Sequence, residues 1–165
     1  FPNSKIFTID IKKSFHFFYK SDRISFETID CMNDQSVKNF ISRFGGFDII
    51  IDDSDHTHPT FVNNIKNFYP SLNSGGLYFL EDFKYADQDL LMIRNYNEKF
   101  GKKVMMQFTT TMDEIFTNIK NKKFFEHDIL NKESQEYIFD KTESVDVHYG
   151  EHPLSSLGIL KKKNN

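Results

Sequence analysis

What most constrains this chain is an alternation: short apolar runs, each closed by an acidic residue, separated by segments of helical period. Ile6 to Ile9 ends at Asp10, and Ile24 to Ile29 ends at Asp30. Phe47 to Ile51 ends at Asp52-Asp53, and Leu77 to Leu80 ends at Glu81-Asp82. Between the second and third runs, Asn33 is placed to cap a helix whose Val37, Phe40, Ile41 and Phe44 recur at i, i+3, i+4 and i+7, and Gly45-Gly46 stops it. Between the third and fourth, Pro59 suits the first position of a helix carrying Phe61, Val62, Ile65, Phe68, Tyr69 and Leu72, ended by Gly75-Gly76. Strands that alternate with helices are joined by crossovers, and a crossover makes its two strands parallel. The run Phe47 to Ile51, apolar apart from Asp48, predicts a strand covered on both faces.

Further on, Leu90, Leu91, Arg94 and Phe100 predict another helix, and Met112, Ile115, Phe116 and Ile119 a shorter one. Residues 121 to 143 are polar and charged and read as a surface excursion. "SVDVHYG" and "SSLGILKKK" predict two strands joined by a turn at Glu151 to Leu154, antiparallel because the link is too short for a crossover. The run Lys161 to Lys163 reads as a solvated tail. The expectation is one α/β domain over residues 1 to 165, its sheet mostly parallel with a C-terminal antiparallel hairpin.

Charge and composition exclude some partners. With 21 basic against 24 acidic residues, a net charge of -3 and no basic stripe, the chain lacks the electrostatic footprint of a nucleic-acid binder. No apolar stretch approaches the roughly 18 residues that would span a bilayer, and nothing resembles a signal peptide, so no membrane partner is expected. The single Cys31 excludes an internal disulfide and a four-cysteine zinc site, which agrees with a cytoplasmic setting. Both glycine pairs precede strands, so no glycine-rich turn leads from a strand into a helix. The chain opens at Phe1, and if a nucleotide-like cofactor binds, its usual glycine loop is expected before that residue.

The acids lie at the carboxyl ends of the strands, where open α/β sheets bind their ligands. If the strands ending at Asp53 and Glu81 are parallel neighbours, their ends are about 4.8 Å apart, and Asp53, Glu81 and Asp82 can converge. Three carboxylates that close repel one another unless a cation neutralises them, and an all-oxygen set favours Mg²⁺ or Mn²⁺ over zinc. His56 follows Asp53 by three residues, and a neutral imidazole suits proton acceptance near pH 7. The alternative is that Asp52, Asp55, Thr57 and His58 only cap the next helix and hold a turn. Asp10 and Asp30 suit a ribose hydroxyl, although ordinary strand-end solvation accounts for Asp30 equally well.

These segments resemble a known family, the class I S-adenosylmethionine-dependent methyltransferases, and within it the metal-dependent sugar O-methyltransferases of macrolide and tetracenomycin biosynthesis. An opening like "FPNSKIFTIDI", a strand like "FDIIIDD", a loop the family writes DDGSH, a helix ending in "FYPSLNSGG" and a strand "LYFLEDF" occur here in order, over roughly residues 1 to 83. The resemblance implies a Rossmann-like sheet lacking its first strand and glycine loop. It implies that Asp10 holds the cofactor ribose, that Asp30 lies near the adenine, that Asp53, Glu81 and Asp82 are metal ligands, and that His56 is the general base. The implied cofactors are S-adenosylmethionine and Mg²⁺ (or Mn²⁺), and the implied acceptor is a hydroxyl of a sugar or glycosylated small molecule, with a homo-oligomer left open. In two places the loop departs from the family. Ser54 stands in place of Gly, which predicts strain if that turn needs positive φ, and Asp55 replaces Ser, adding a carboxylate. Two other classes stay open: a metal-dependent hydrolase using His56, His58 and the carboxylates, and a degenerate, non-catalytic domain.

Overall fold

Parallel pairing begins with β1 (Ile6–Asp10) and β2 (Ile24–Thr28), in register from Ile6 opposite Ile24 to Asp10 opposite Thr28. The computed structural model describes residues 2–12, 21–101 and 108–164, and the chain divides into two units, Phe1–Phe44 and Gly45–Asn165. In the first unit, α1 (Asp34–Phe44) opens at Asn33, whose side-chain oxygen accepts the Ser36 amide at 3.0 Å. The expected apolar stripe buries Val37 and Phe40, and the β1 residue Phe7 packs against Phe40 and Phe44 with ring centroids 6.5 and 4.5 Å away.

The second unit is built on a four-stranded sheet in the order β3-β4-β6-β5: β3 (Phe47–Asp52), β4 (Leu72–Glu81), β5 (Thr142–Tyr149) and β6 (Ser156–Lys162). β3 and β4 are parallel and joined through α2 (His58–Phe68), as the alternation of elements requires. β6 is antiparallel to both β4 and β5, so the expected hairpin supplies an antiparallel neighbour to a parallel pair. Three further helices follow: α3 (Lys84–Phe100), α4 (Met112–Asn121) and α5 (Lys132–Lys141). In α4, Met112, Ile115, Phe116 and Ile119 are all buried. Its start carries a reciprocal cap, in which Glu114 N donates to Thr111 Oγ1 at 3.1 Å and Thr111 N donates to Glu114 Oε2 at 2.7 Å. Beneath the sheet, Phe61, Val62, Ile65, Tyr78, Leu80, Phe83, Phe116 and Leu160 form a closed apolar core.

Several expectations need correction. α2 stops at Phe68 and passes through a 3₁₀ turn, Tyr69–Ser71, so that Leu72 is a strand residue. Pro70 supplies no N–H to continue the ladder, and Leu72 is already extended. Among the described residues β3 lies at the edge of the four-stranded sheet and is covered on one face rather than two: Asp52 is buried, while Ile49 and Ile51 are 43% and 63% exposed. The stretch 121 to 143 contains α5, which buries Ile138, Phe139 and Gln135. The Gln135 amide donates to the carbonyls of Phe125 (2.9 Å) and Leu130 (2.7 Å), which is how a polar residue becomes a core residue. Lys161 and Lys162 are strand residues, not a solvated tail. Lys162 Nζ donates to the carbonyls of Pro70 at 3.0 Å and Leu72 at 2.6 Å, and Lys161 pairs with Glu143 at 2.8 Å. Among the described residues, no helix is long and apolar enough to cross a membrane.

Candidate active site

Strand alternation sends the two acids at the end of β3 to opposite environments. Asp52 is 7% exposed, and its oxygens accept Tyr78 OH at 2.6 Å and the Asn64 side-chain amide at 3.1 Å. Burial pushes its carboxyl above the usual range, against the pull of those hydrogen bonds. The Asp53 side chain is 61% exposed and meets His56 Nε2 at 3.0 Å. A carboxylate only accepts, so Nε2 carries a proton in this pair, and in the neutral ring the lone pair is then on Nδ1.

The rest of the loop sorts into structural work. Asp55 Oδ1 accepts both the amide (3.2 Å) and the hydroxyl (3.0 Å) of Thr57, the residue just before α2. His58 turns inward, stacking on Phe108 at 4.7 Å, while its Nε2 donates to the Thr110 carbonyl at 2.6 Å. Burial holds its pKa below the ordinary value. Asp55 and Thr57 thus hold the turn, but no side chain caps α2, and His58 packs inward instead of forming a reactive pair with His56.

His56 itself adopts φ +57°, and Asp82 adopts φ +50°. Among the described residues, Lys122 is the other non-glycine with positive φ, and it ends α4. A non-glycine residue in the left-handed region costs about 1 to 2 kcal/mol, a cost that concentrates at functional loops. The strain expected at Ser54 falls two residues later, at His56. The imidazole lies near two rings, stacked on Tyr85 at 5.4 Å and 23° and facing Phe61 at 6.0 Å.

At the end of β4, the Asp82 amide donates to the Ser156 carbonyl at 2.7 Å, and the Ser156 amide reaches Asp82 Oδ1 at 3.4 Å. The Tyr85 amide then donates to the Asp82 carbonyl at 3.1 Å and starts α3. Asp52 is paired with Leu80, so Asp53 and Glu81 each follow directly on a matched pair of strand ends. Backbone register and an all-oxygen donor set both fit a hard divalent cation. The carboxylates themselves are not gathered: Asp53 is turned to His56 and Asp82 to Ser156. Among the described residues, no three His, Cys, Asp or Glu side chains lie close enough together to hold a metal ion. The structure thus brings Asp53 to His56 and aligns the backbone of Glu81 and Asp82 beside them.

Asp10 and Asp30 belong to the first unit: Asp10 ends β1 and Asp30 follows β2 by two residues on the same side of the parallel pair, where Ile29 N donates to the Asp10 carbonyl at 2.9 Å. Both are exposed, and each uses Oδ1 to accept the amide two residues on, Lys12 at 2.8 Å and Met32 at 2.9 Å.

Three features escaped the sequence reading. Tyr85 is one. The second is Asp87 of α3, buried against the start of α4, accepting the amides of Met112 (2.6 Å) and Asp113 (3.3 Å), with its pKa pushed up to about 6 by burial. The third is Asp113, which pairs with Lys84 and accepts Tyr149 OH at 2.7 Å. Asp87 alone had a signal, as an acid beside Ala86 and Leu90 on the apolar stripe of α3.

No family model matches the chain. It is 33% identical over 86 residues to the mycinamicin VI 2''-O-methyltransferase of Micromonospora griseorubida, a match covering 50% of this chain and 20% of that protein. It is 31% identical over 85 residues to the 8-demethyl-8-alpha-L-rhamnosyl tetracenomycin-C 2'-O-methyltransferase of Streptomyces olivaceus, covering 51% and 22% respectively. The chain therefore spans about a fifth of the length of the curated relatives it matches. In structure, 99% of it aligns with 38% of the MycE methyltransferase of the mycinamycin biosynthetic pathway, solved in complex with Mg, SAH and mycinamycin VI, at a TM-score of 0.65 and 21% identity. Along about half of its length the chain is a homologue of macrolide and tetracenomycin sugar O-methyltransferases, and it has the α/β fold of S-adenosylmethionine-dependent methyltransferases, a parallel strand pair completed by an antiparallel hairpin.

Proposed function

We propose that this chain is part of a divalent-metal-assisted, S-adenosylmethionine-dependent O-methyltransferase whose acceptor is a hydroxyl on a sugar or glycosylated small molecule. The observation that carries the reading is the Asp53–His56 pair in a strained loop, beside the strand end that bears Glu81 and Asp82. On this reading residues 1 to 165 form one methyltransferase domain of a cytoplasmic enzyme, and nucleic acid has no part in its reaction.

In the reaction a bond forms between the acceptor oxygen and the methyl carbon, the carbon–sulfur bond breaks, and the hydroxyl proton leaves. S-adenosylmethionine supplies the electrophilic methyl group, and a bound cation lowers the pKa of a hydroxyl that it coordinates. Asp53, Glu81 and Asp82 would hold that cation through oxygen. Asp10 would bind the ribose, and Asp30 would lie toward the adenine. His56 takes the hydroxyl proton on Nδ1 while Nε2–H stays with Asp53, which orients the ring and stabilises the imidazolium that forms. The hydrolase alternative loses support because its second histidine, His58, is buried and bonded to Thr110.

The test is methyl transfer by the intact protein from S-adenosylmethionine to a panel of rhamnosides and macrolide glycosides, with His56→Ala and His58→Ala compared. Loss of a positioned general base lowers turnover about 10²- to 10⁴-fold, so His56→Ala should fall by that factor. The His58→Ala variant should retain most of its turnover at a temperature where it is folded. Normal turnover in His56→Ala overturns the assignment.

A further inference from the structure

The chain leaves β4 through Asp82 at φ +50°, and Phe83, fully buried against Phe116 at 5.1 Å, anchors the turn. α3 then buries Ala86, Asp87 and Leu90. Tyr85 lies off that buried face and is 40% exposed, so filling the core does not account for an aromatic residue there. Its ring is instead stacked on the His56 imidazole, at 5.4 Å and 23°.

Position alone does not hold a histidine. The backbone of His56 sets where its side chain starts, but two side-chain torsions remain, and the bond to Asp53 fixes one ring atom rather than the ring plane. We propose that Tyr85 is a positioning residue for His56: its ring fixes the imidazole plane, so that Nε2–H stays on Asp53 and the Nδ1 edge stays open. The inference rests on the reading of His56 as the proton acceptor, and it adds the group that holds the ring in the state this role needs. Aromatic stacking of this kind shifts a rotamer population about two- to twelve-fold, enough to turn a mixture into one dominant arrangement. A flexible aliphatic side chain at residue 85 would fill similar space without the matching flat face. Phenylalanine would keep the face and lose only the hydroxyl.

The experiment is ring-nitrogen NMR of the intact protein carrying ¹⁵N-labelled histidine at pH 8, with the His56 signals identified by their absence from His56→Ala. The wild type should show the Nε2–H tautomer for His56, with its ring protons shifted upfield by the Tyr85 ring. Tyr85→Leu should move those protons downfield and bring the two nitrogen shifts toward an averaged pattern, and Tyr85→Phe should restore the wild-type pattern. Tyr85→Ala repeats the removal if Tyr85→Leu misfolds. An averaged pattern already in the wild type, an unchanged pattern in Tyr85→Leu, or failure of Tyr85→Phe to restore it overturns the proposal. Turnover of His56→Ala separately decides whether His56 is the base, and the NMR result does not depend on it.

Discussion

Asp52 and Asp53 are neighbours in sequence and opposite in exposure, so removing each side chain should have very unequal consequences for stability. Asp52→Ala deletes the acceptor of two hydrogen bonds in a closed environment: Tyr78, from which it accepts at 2.6 Å, is 1% exposed, and Asn64, at 3.1 Å, is 4% exposed. Hydrogen bonds to a charged group contribute about 1.5 to 3 kcal/mol each, giving a gross loss of about 3 to 6 kcal/mol. Burial of the carboxylate, visible in its raised pKa, works the other way and returns part of that when the group is removed. We expect a net loss of about 2 to 4 kcal/mol for Asp52→Ala. Asp53→Ala breaks one contact of a side chain that is 61% exposed, and should cost about 0 to 1 kcal/mol. Urea unfolding at pH 7, followed by far-UV circular dichroism with slopes compared, reads both. Equal losses, or a larger loss for Asp53→Ala, would refute the facing of β3, since a one-residue slip of register exchanges the two acids.

Two other perturbations probe the framework. A methyl group added at Gly158, in the interior strand β6, would lie 2.2 Å from Phe116 Cζ, so Gly158→Ala should lose about 1 to 3 kcal/mol, and Phe116→Leu added to it should recover part of that loss in a thermal melt. Asp87 has a folded-state pKa raised from 3.8 to about 6, chiefly by burial. A raised acid stabilises fully below its unfolded pKa, and that contribution is lost as pH rises through the folded one. The stability of the wild type minus that of Asp87→Asn should therefore fall by on the order of 2 kcal/mol between pH 4 and pH 7, and a flat difference in melting temperature across that window would contradict it.

The β3–α2–β4 unit was legible because each strand carries a short apolar run, Ile49 to Ile51 and Leu77 to Leu80, followed directly by acids. α5 was not, because its third core residue is Gln135, buried only through hydrogen bonds to Phe125 and Leu130 that no periodicity reveals. The C-terminal lysines misled for a related reason: composition suggests a tail, yet Ser156, Gly158 and Leu160 alternate inward through that segment while Lys162 reaches the carbonyls of residues 70 and 72. Spacing singled out Asp53, His56, Glu81 and Asp82 as candidates, and of these the structure joins the side chains of Asp53 and His56. What spacing leaves out is direction. The division of labour between Asp52 and Asp53 depends on which face of β3 meets α2, and the contact of Tyr85 with His56 depends on a left-handed turn at Asp82 that a non-glycine residue does not advertise.

In the proposed function, the acids at the ends of β3 and β4 hold a divalent cation that takes part in methyl transfer. The most direct measurement is turnover of the intact protein on a rhamnoside or macrolide glycoside acceptor, before and after removal of divalent ions with a chelator, with Mg²⁺ or Mn²⁺ then restored. Chelation should abolish turnover, Mg²⁺ or Mn²⁺ should restore it, and Asp53→Asn, folded as the wild type is, should need a much higher cation concentration to recover. Full turnover in excess chelator would contradict it.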